Sequence, residues 1–147
     1  MSKVSLGYIA SHPFWNNTYL PQRIQNNLVN SYCINNDFSL IWSIPEVSLG
    51  YRATPVLNNF LKSNSQEIDC IIFISYQMNH PLTIFKSLNE IINQSIEAHF
   101  VIENCSVKKF EEFEDLKAEI TLSHLLSLNK SSPLLDMRGS ERNFLEV

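Results

Sequence analysis

The sequence predicts an α/β domain of three layers, helix–sheet–helix, around a four-stranded and mainly parallel sheet ordered 2-1-3-4. Three observations carry this. Strand-like and helix-like segments alternate along the chain, which implies right-handed crossovers with helices on both faces of the sheet. Residues 69–75 are apolar almost without a break, as a central parallel strand covered on both faces should be. The length of 147 residues, 44% of them hydrophobic, supports one core and not two.

Taken in order, residues 4–9 are β-rich and alternate weakly, a first strand ending at Ala10 and Ser11. His12, Pro13, Phe14, Trp15, Asn16 and Asn17 then read as an irregular loop. Pro21 suits the first position of a helix, where its missing N–H is unpaired anyway. Over residues 21–35, Ile24, Leu28 and Tyr32 recur every four residues beside Val29 and Cys33, which makes one apolar face. Gln22, Gln25, Asn26 and Asn30 fall on the other faces. Residues 38–44 form a second strand and 45–51 a loop. Thr54 and Pro55 read as N-cap and first residue of a second helix, with Val56, Leu57, Phe60 and Leu61 inward. The third strand, 69–75, is followed by a break at His80 and Pro81. A third helix then turns Ile84, Phe85, Leu88, Ile91 and Ile92 inward. Residues 98–103 are the fourth strand. Phe110, Phe113, Leu116 and Ile120 mark the last helix, with Glu111, Glu112, Glu114 and Asp115 on its solvated face. The pattern decays from Leu128, so the chain divides into one domain, 1–127, and a C-terminal tail, 128–147. Phe14, Trp15 and the tail residues Leu134, Leu135, Phe144 and Leu145 exceed what the helical faces absorb and predict a homo-oligomer.

The net charge of −4 argues against a dedicated nucleic-acid binder. No apolar run approaches the ~20 residues of a membrane span. The start has no signal-peptide pattern, which predicts a cytoplasmic protein without membrane attachment. Cys33, Cys70 and Cys105 are odd in number and form no CxxC pair, so they read as small buried hydrophobes. With three glycines and no GxGxxG, P-loop or HExxH, no cofactor and no metal is expected.

In an open parallel sheet, ligands gather beyond the carboxyl ends of the strands where the strand order reverses. For this order, that point lies between strands one and three. Ser11 and His12 follow strand one, and Ser75 and Gln77 follow strand three. Glu46 and Tyr51 follow strand two, Glu103 ends strand four, and Gln22 and Asn26 lie on the first helix. Glu46 and Glu103 are the candidate general acid and base, with Ser11 as a third catalytic candidate. Glu103 ends an apolar strand, so burial should raise its pKa. His12, Gln22, Asn26, Tyr51, Ser75 and Gln77 are the candidate ligand-binding residues. This mix of hydroxyl, amide, imidazole and carboxylate groups, poor in cations, suits a polyhydroxylated ligand. His99 and His124 read as structural.

Two family resemblances meet at these residues. The order of elements resembles the catalytic domain of serine recombinases, the resolvases and invertases, and implies a resolvase/flavodoxin-like fold. That family opens with a strand reading Tyr-x-Arg-x-Ser, whose serine attacks DNA, and carries arginines after the third strand. Here the opening is Gly7-Tyr8-Ile9-Ala10-Ser11-His12 and the third strand runs into Ser75-Tyr76-Gln77-Met78-Asn79-His80, both without arginine. Arginines there would hold and polarise the scissile phosphate. The resemblance therefore implies the fold and not the cleavage.

The second resemblance spans about residues 4–120. Gly7-Tyr8 through Ser11-His12-Pro13-Phe14, Leu20-Pro21-Gln22-Arg23-Ile24-Gln25-Asn26, Tyr32-Cys33, the Glu46 loop, Ile71-Ile72-Phe73-Ile74-Ser75 with Gln77, and His99-Phe100-Val101-Ile102-Glu103 are similar to the sporadic carbohydrate cluster protein family. Its members are small bacterial proteins encoded among genes for surface polysaccharide and lipopolysaccharide sugars. The resemblance implies a cytoplasmic protein of cell-surface carbohydrate biosynthesis that binds a sugar, sugar phosphate or nucleotide-sugar. Whether it is an enzyme stays open; metal-independent acid–base chemistry fits the residues. The alternatives are a non-catalytic partner of a glycan-synthesis enzyme and a degenerate recombinase-like DNA-associated protein.

Overall fold

A computed structural model describes residues 2–46, 54–63 and 67–130 of the chain. Five strands and four helices are found among them: β1 (Val4–Ala10), α1 (Gln22–Asn35), β2 (Ser39–Glu46), α2 (Pro55–Ser63), β3 (Cys70–Phe73), α3 (Pro81–Asn93), β4 (Glu97–Phe100), β5 (Cys105–Val107) and α4 (Phe110–Lys130). The sheet order is β2-β1-β3-β4-β5, so the expected order 2-1-3-4 is present and extended by one strand. The first four strands pair in parallel and β5 pairs antiparallel to β4.

Side-chain alternation along the strands sorts the core into two layers. Leu6, Tyr8, Ile71, Ala98 and Phe100 face a cluster built by α2, α3 and α4. Ile9, Cys70 and Ile72 face Val29 and Cys33 of α1. One helix thus covers one face and three cover the other. At Gly7 both the Ser43 side chain of β2 and α1 come close: a Cβ there would collide with Ser43 Oγ and lie 2.9 Å from Val29 Cγ1.

Several elements depart from the sequence reading. Pro21 is the N-cap of α1 and not its first helical residue; its carbonyl accepts the N–H groups of Ile24 and Gln25. The buried line of α1 is Gln25, Val29 and Cys33, one position round from the expected Ile24, Leu28 and Tyr32. β2 continues through Pro45 and Glu46, where the sequence predicts a loop. It is an edge strand, where a proline removes no needed ladder bond. The expected four strands are five, because the segment read as the end of strand four turns instead. Residues 101–104 form a turn, Asn104 adopts φ 52°, and Cys105 begins β5. α4 runs to Lys130, into the segment read as a tail. Tyr51 and the tail residues Leu134, Leu135, Phe144 and Leu145 lie outside the described residues. No described helix is long and apolar enough to cross a membrane.

The three cysteines sit in the packed interior or its margin, Cys33 and Cys70 buried and Cys105 partly so. Burial pushes their thiols up, Cys70 to about 12 and Cys105 to about 11, which suppresses the nucleophilic thiolate. His99 has the structural setting expected of it. Its ring lies between Tyr32 Oη at 2.8 Å and Glu97 Oε1 at 3.0 Å and packs on Phe38.

Candidate functional site

β1 and β3 end side by side, and the segments that leave them enclose a small cavity of about 40 Å³. It is lined by Tyr8, Ala10 and His12 from β1 and its sequel, and by Phe73, Ser75, Tyr76 and Asn79 from β3 and its sequel. Thr54 and Leu57 of the α2 region and Thr83, Ile84, Ser87 and Leu88 of α3 close it. This is the expected switch-point position. His12 also lines a second, more open cleft of about 390 Å³, between the β1–α1 loop (Pro13, Phe14, Trp15, Asn17) and α4 (His124, Ser127, Leu128).

His12 is the residue common to both spaces. It is 2% exposed, and neither ring nitrogen makes a hydrogen bond of good geometry, the Met78 backbone being the nearest group able to form one. Burial holds its pKa below the usual histidine range, against the pull of the Glu46 charge and the nearby Met78 backbone. The ring is therefore neutral near pH 7, with its acceptor unused and its donor near only the Met78 backbone. Native proteins seldom leave such groups buried and unpaired, because each costs about 1–3 kcal/mol.

The two candidate carboxylates approach this cavity only through intermediaries. Glu46 is buried at the end of β2. It accepts the Tyr8 hydroxyl at 2.7 Å and the Val56 and Leu57 amides at 2.9 and 3.2 Å. A carboxylate on the first-turn amides of α2 satisfies donors that the helix cannot and complements its positive end. It thus does the capping expected of Thr54, whose hydroxyl meets Asn58 Oδ1 instead at 3.4 Å. Glu103, in the turn after β4, accepts the Ser75 hydroxyl at 2.6 Å and the Tyr76 amide at 3.3 Å. Burial raises its pKa, as its position at the end of an apolar strand predicts, and the Ser75 and Tyr76 bonds only partly offset this. Ser75 in turn accepts the Gln77 amide at 2.9 Å and so caps the short 3-10 turn Tyr76–Met78.

Of the predicted residues, His12 and Ser75 meet at the cavity, with Glu46 and Glu103 one bond behind it. Ser11 is exposed just past β1, and Gln22 is exposed at the start of α1. Asn26 and Gln77 are half-buried, and neither they nor Ser11 and Gln22 are among the residues lining the cavity. Gln25, placed on an outer face by the sequence, is wholly buried. Its side-chain amide donates to the Ala10 and Leu20 carbonyls at 2.7 and 2.8 Å and accepts the Ala10 amide at 3.0 Å. It holds the end of β1, and hence His12, against α1.

Sequence reasoning missed Thr54, Thr83 and Ser87 as lining residues, and Trp15 and His124 as the walls of the cleft. Ser87 carried a signal: it falls between the inward Ile84 and Leu88. His124 did not, because its partner Trp15 is more than a hundred positions away. Trp15 donates its indole N–H to the Asn79 carbonyl at 2.7 Å and packs edge-on against His124 at 4.9 Å. His80 caps α3 by accepting the Leu82 amide, and its ring lies 5.7 Å from that of His124.

No protein-family model matches this chain, and no curated protein matches it. Among solved structures it is similar to a resolvase family site-specific recombinase from Streptococcus pneumoniae. The TM-score is 0.63 over 88% of this chain and 93% of that one, at 8% sequence identity. At that identity the likeness is one of architecture: the chain has a resolvase-like α/β fold.

Proposed function

We propose that this protein binds a sugar, sugar phosphate or nucleotide-sugar at the carboxyl edge of its sheet, as part of cell-surface carbohydrate biosynthesis in the cytoplasm. The observation that supports it best is His12, a buried neutral imidazole without a well-formed hydrogen bond, between a cavity and an open cleft. A ligand hydroxyl satisfies an imidazole of either tautomer, since it both donates and accepts. Where the site is catalytic, His12 is the group placed to move a proton. Glu46 and Glu103 act behind it, through Tyr8 and Ser75. The protein works as a homo-oligomer in this reading.

The likeness to a recombinase keeps a DNA-associated role as the second reading. Against it stand the net charge of −4 and the absence of lysine or arginine among the described residues that line the cavity and the cleft.

Thermal melting with a panel of sugars, sugar phosphates and nucleotide-sugars tests the proposal. A ligand at a hundred times its Kd stabilises the fold by about 2.7 kcal/mol, and the shift should shrink in His12→Gln. No shift with any member of the panel, combined with a gel shift on DNA that strengthens as salt falls, would transfer the protein to the second reading.

A further inference from the structure

We infer that the cleft between the β1–α1 loop and α4 holds an uncharged, hydroxyl-bearing ring, with the face of Trp15 as its platform and His12 and His124 as its polar walls. This inference rests on the proposed function and narrows it to the part of the ligand that enters here.

The platform is rigid. The Trp15 indole is fixed by its N–H bond to the Asn79 carbonyl and by ring contacts with Tyr76 at 5.8 Å and His124 at 4.9 Å. The loop that carries it is itself fastened. The Phe14 amide donates to the Thr18 carbonyl, the Asn17 amide to the Phe14 carbonyl, and Asn17 sits at φ 65°. Because the indole N–H is already used, Trp15 can offer a ligand only its ring. An aromatic face is electron-rich, so it accommodates C–H groups and repels anions.

Charge points the same way. The described residues lining the cleft are His12, Pro13, Phe14, Trp15, Asn17, His124, Ser127 and Leu128, with no lysine, arginine, aspartate or glutamate among them. Burial keeps His12 neutral, so it too is a poor partner for phosphate and a good one for a hydroxyl. Size sets the remaining limit. About 390 Å³ lies at the lower end of the ~300–1,000 Å³ range of small-molecule pockets. That volume suits one substituted ring, not a whole nucleotide-sugar.

The two tryptophans, Trp15 and Trp42, make the test clean, because Trp42 is exposed on the edge strand β2 away from the cleft. In a Trp42→Phe protein, Trp15 is the one indole emitter. This protein is titrated with methyl hexopyranosides, the matching hexose 1-phosphates, and nucleosides. The expected result is a saturable change in Trp15 emission with at least one methyl hexopyranoside. A phosphate on that sugar should not tighten binding. His12→Gln and His124→Gln, each confirmed folded by its melting curve, should weaken binding at least tenfold. A response confined to phosphates or nucleosides, or one unmoved by both histidine variants, overturns the inference. If nucleotide-sugars raise the melting temperature while Trp15 emission stays constant, the ligand binds elsewhere at the sheet edge: the inference falls and the broader proposal stands. Silence in both assays removes both.

Discussion

His12 is held neutral by burial, and that gives stability a pH dependence of known sign. In the unfolded chain its ring titrates near 6.5, and in the folded protein below that. Between the two values the unfolded chain binds more protons, so stability rises with pH across this window. The contribution of the neutral ring is complete above about pH 6.5 and is lost as pH falls toward the folded value. His12→Gln should therefore lose less melting temperature than the parent between pH 7 and pH 5.5. His99, also held down by burial, acts in the same direction in both proteins, so the difference isolates His12. Equal slopes would show that the His12 ring accepts a proton in the fold without penalty. Gln25 is a second residue with a large stake. Gln25→Leu keeps the volume but strands the Ala10 amide and carbonyl in the interior. It should cost about 3 kcal/mol in urea unfolding, since each stranded group costs about 1–3 kcal/mol. Gln25 also shows the limit of reading residues singly. Its spacing from Val29 and Cys33 is the helical repeat of four, so position marked it as inward. Its polarity pointed outward, because the backbone groups it satisfies at Ala10 lie on another element.

At the scale of elements, the two carboxylates named from the sequence divide into different kinds of group. Glu46 joins β2 to the first turn of α2 and to Tyr8 of β1. Glu46→Ala removes one acceptor from three donors, and should lower stability by about 2–4 kcal/mol whatever ligand is present. Glu103 has the opposite character. Burial already disfavours its charge, and a neutral amide keeps one oxygen for the Ser75 hydroxyl while losing the acceptor of the longer Tyr76 amide bond. Glu103→Gln should thus lower stability at pH 7 by about 1–2 kcal/mol, less than Glu46→Ala. If the folded variant abolishes ligand response or glycan output, Glu103 has a functional role; full output removes it from the site. The elements themselves were largely legible, because parallel strands and amphipathic helices write their burial into apolar runs and periods. β3 and the inward residues of α3 follow this rule. β5 did not, for three residues are too few to show a period. Its one cue was the left-handed Asn104 in the turn, a position where asparagine is tolerated. The cleft was illegible for a different reason: it is made by a loop near one end of the chain and a helix near the other, and no local pattern records that meeting.

At the scale of the whole molecule, α4 is the element whose two halves differ. Its first half buries Phe113, Leu116 and Ile120 against the sheet layer. Its second half leaves Leu122, Leu125, Leu126 and Leu128 exposed. Phe14 and Trp15, among the surplus apolar residues predicted from the sequence, are instead packed against the two core clusters, and α4 carries the largest group of exposed apolar side chains among the described elements. Leu122, Leu125 and Leu126 stand at i, i+3 and i+4, a spacing that makes a stripe along one side of a helix. A stripe of this kind can meet its own copy about a two-fold axis, which needs no second protein and closes the assembly. Light scattering at micromolar concentration should therefore give a mass above the 17.0 kDa of one chain. Replacing Leu122, Leu125 and Leu126 together by serine should return it to one chain's mass. Exposed positions tolerate such changes within about 0.5 kcal/mol each, so the three together should lower melting at dilute concentration by no more than about 6 °C. A monomeric parent would sink the expectation. The same helix carries His124, Ser127 and Leu128 on the wall of the cleft. Docking a copy onto its leucine stripe would fix that wall against Trp15. Ligand affinity should then rise with protein concentration in the parent and be independent of it in the triple variant.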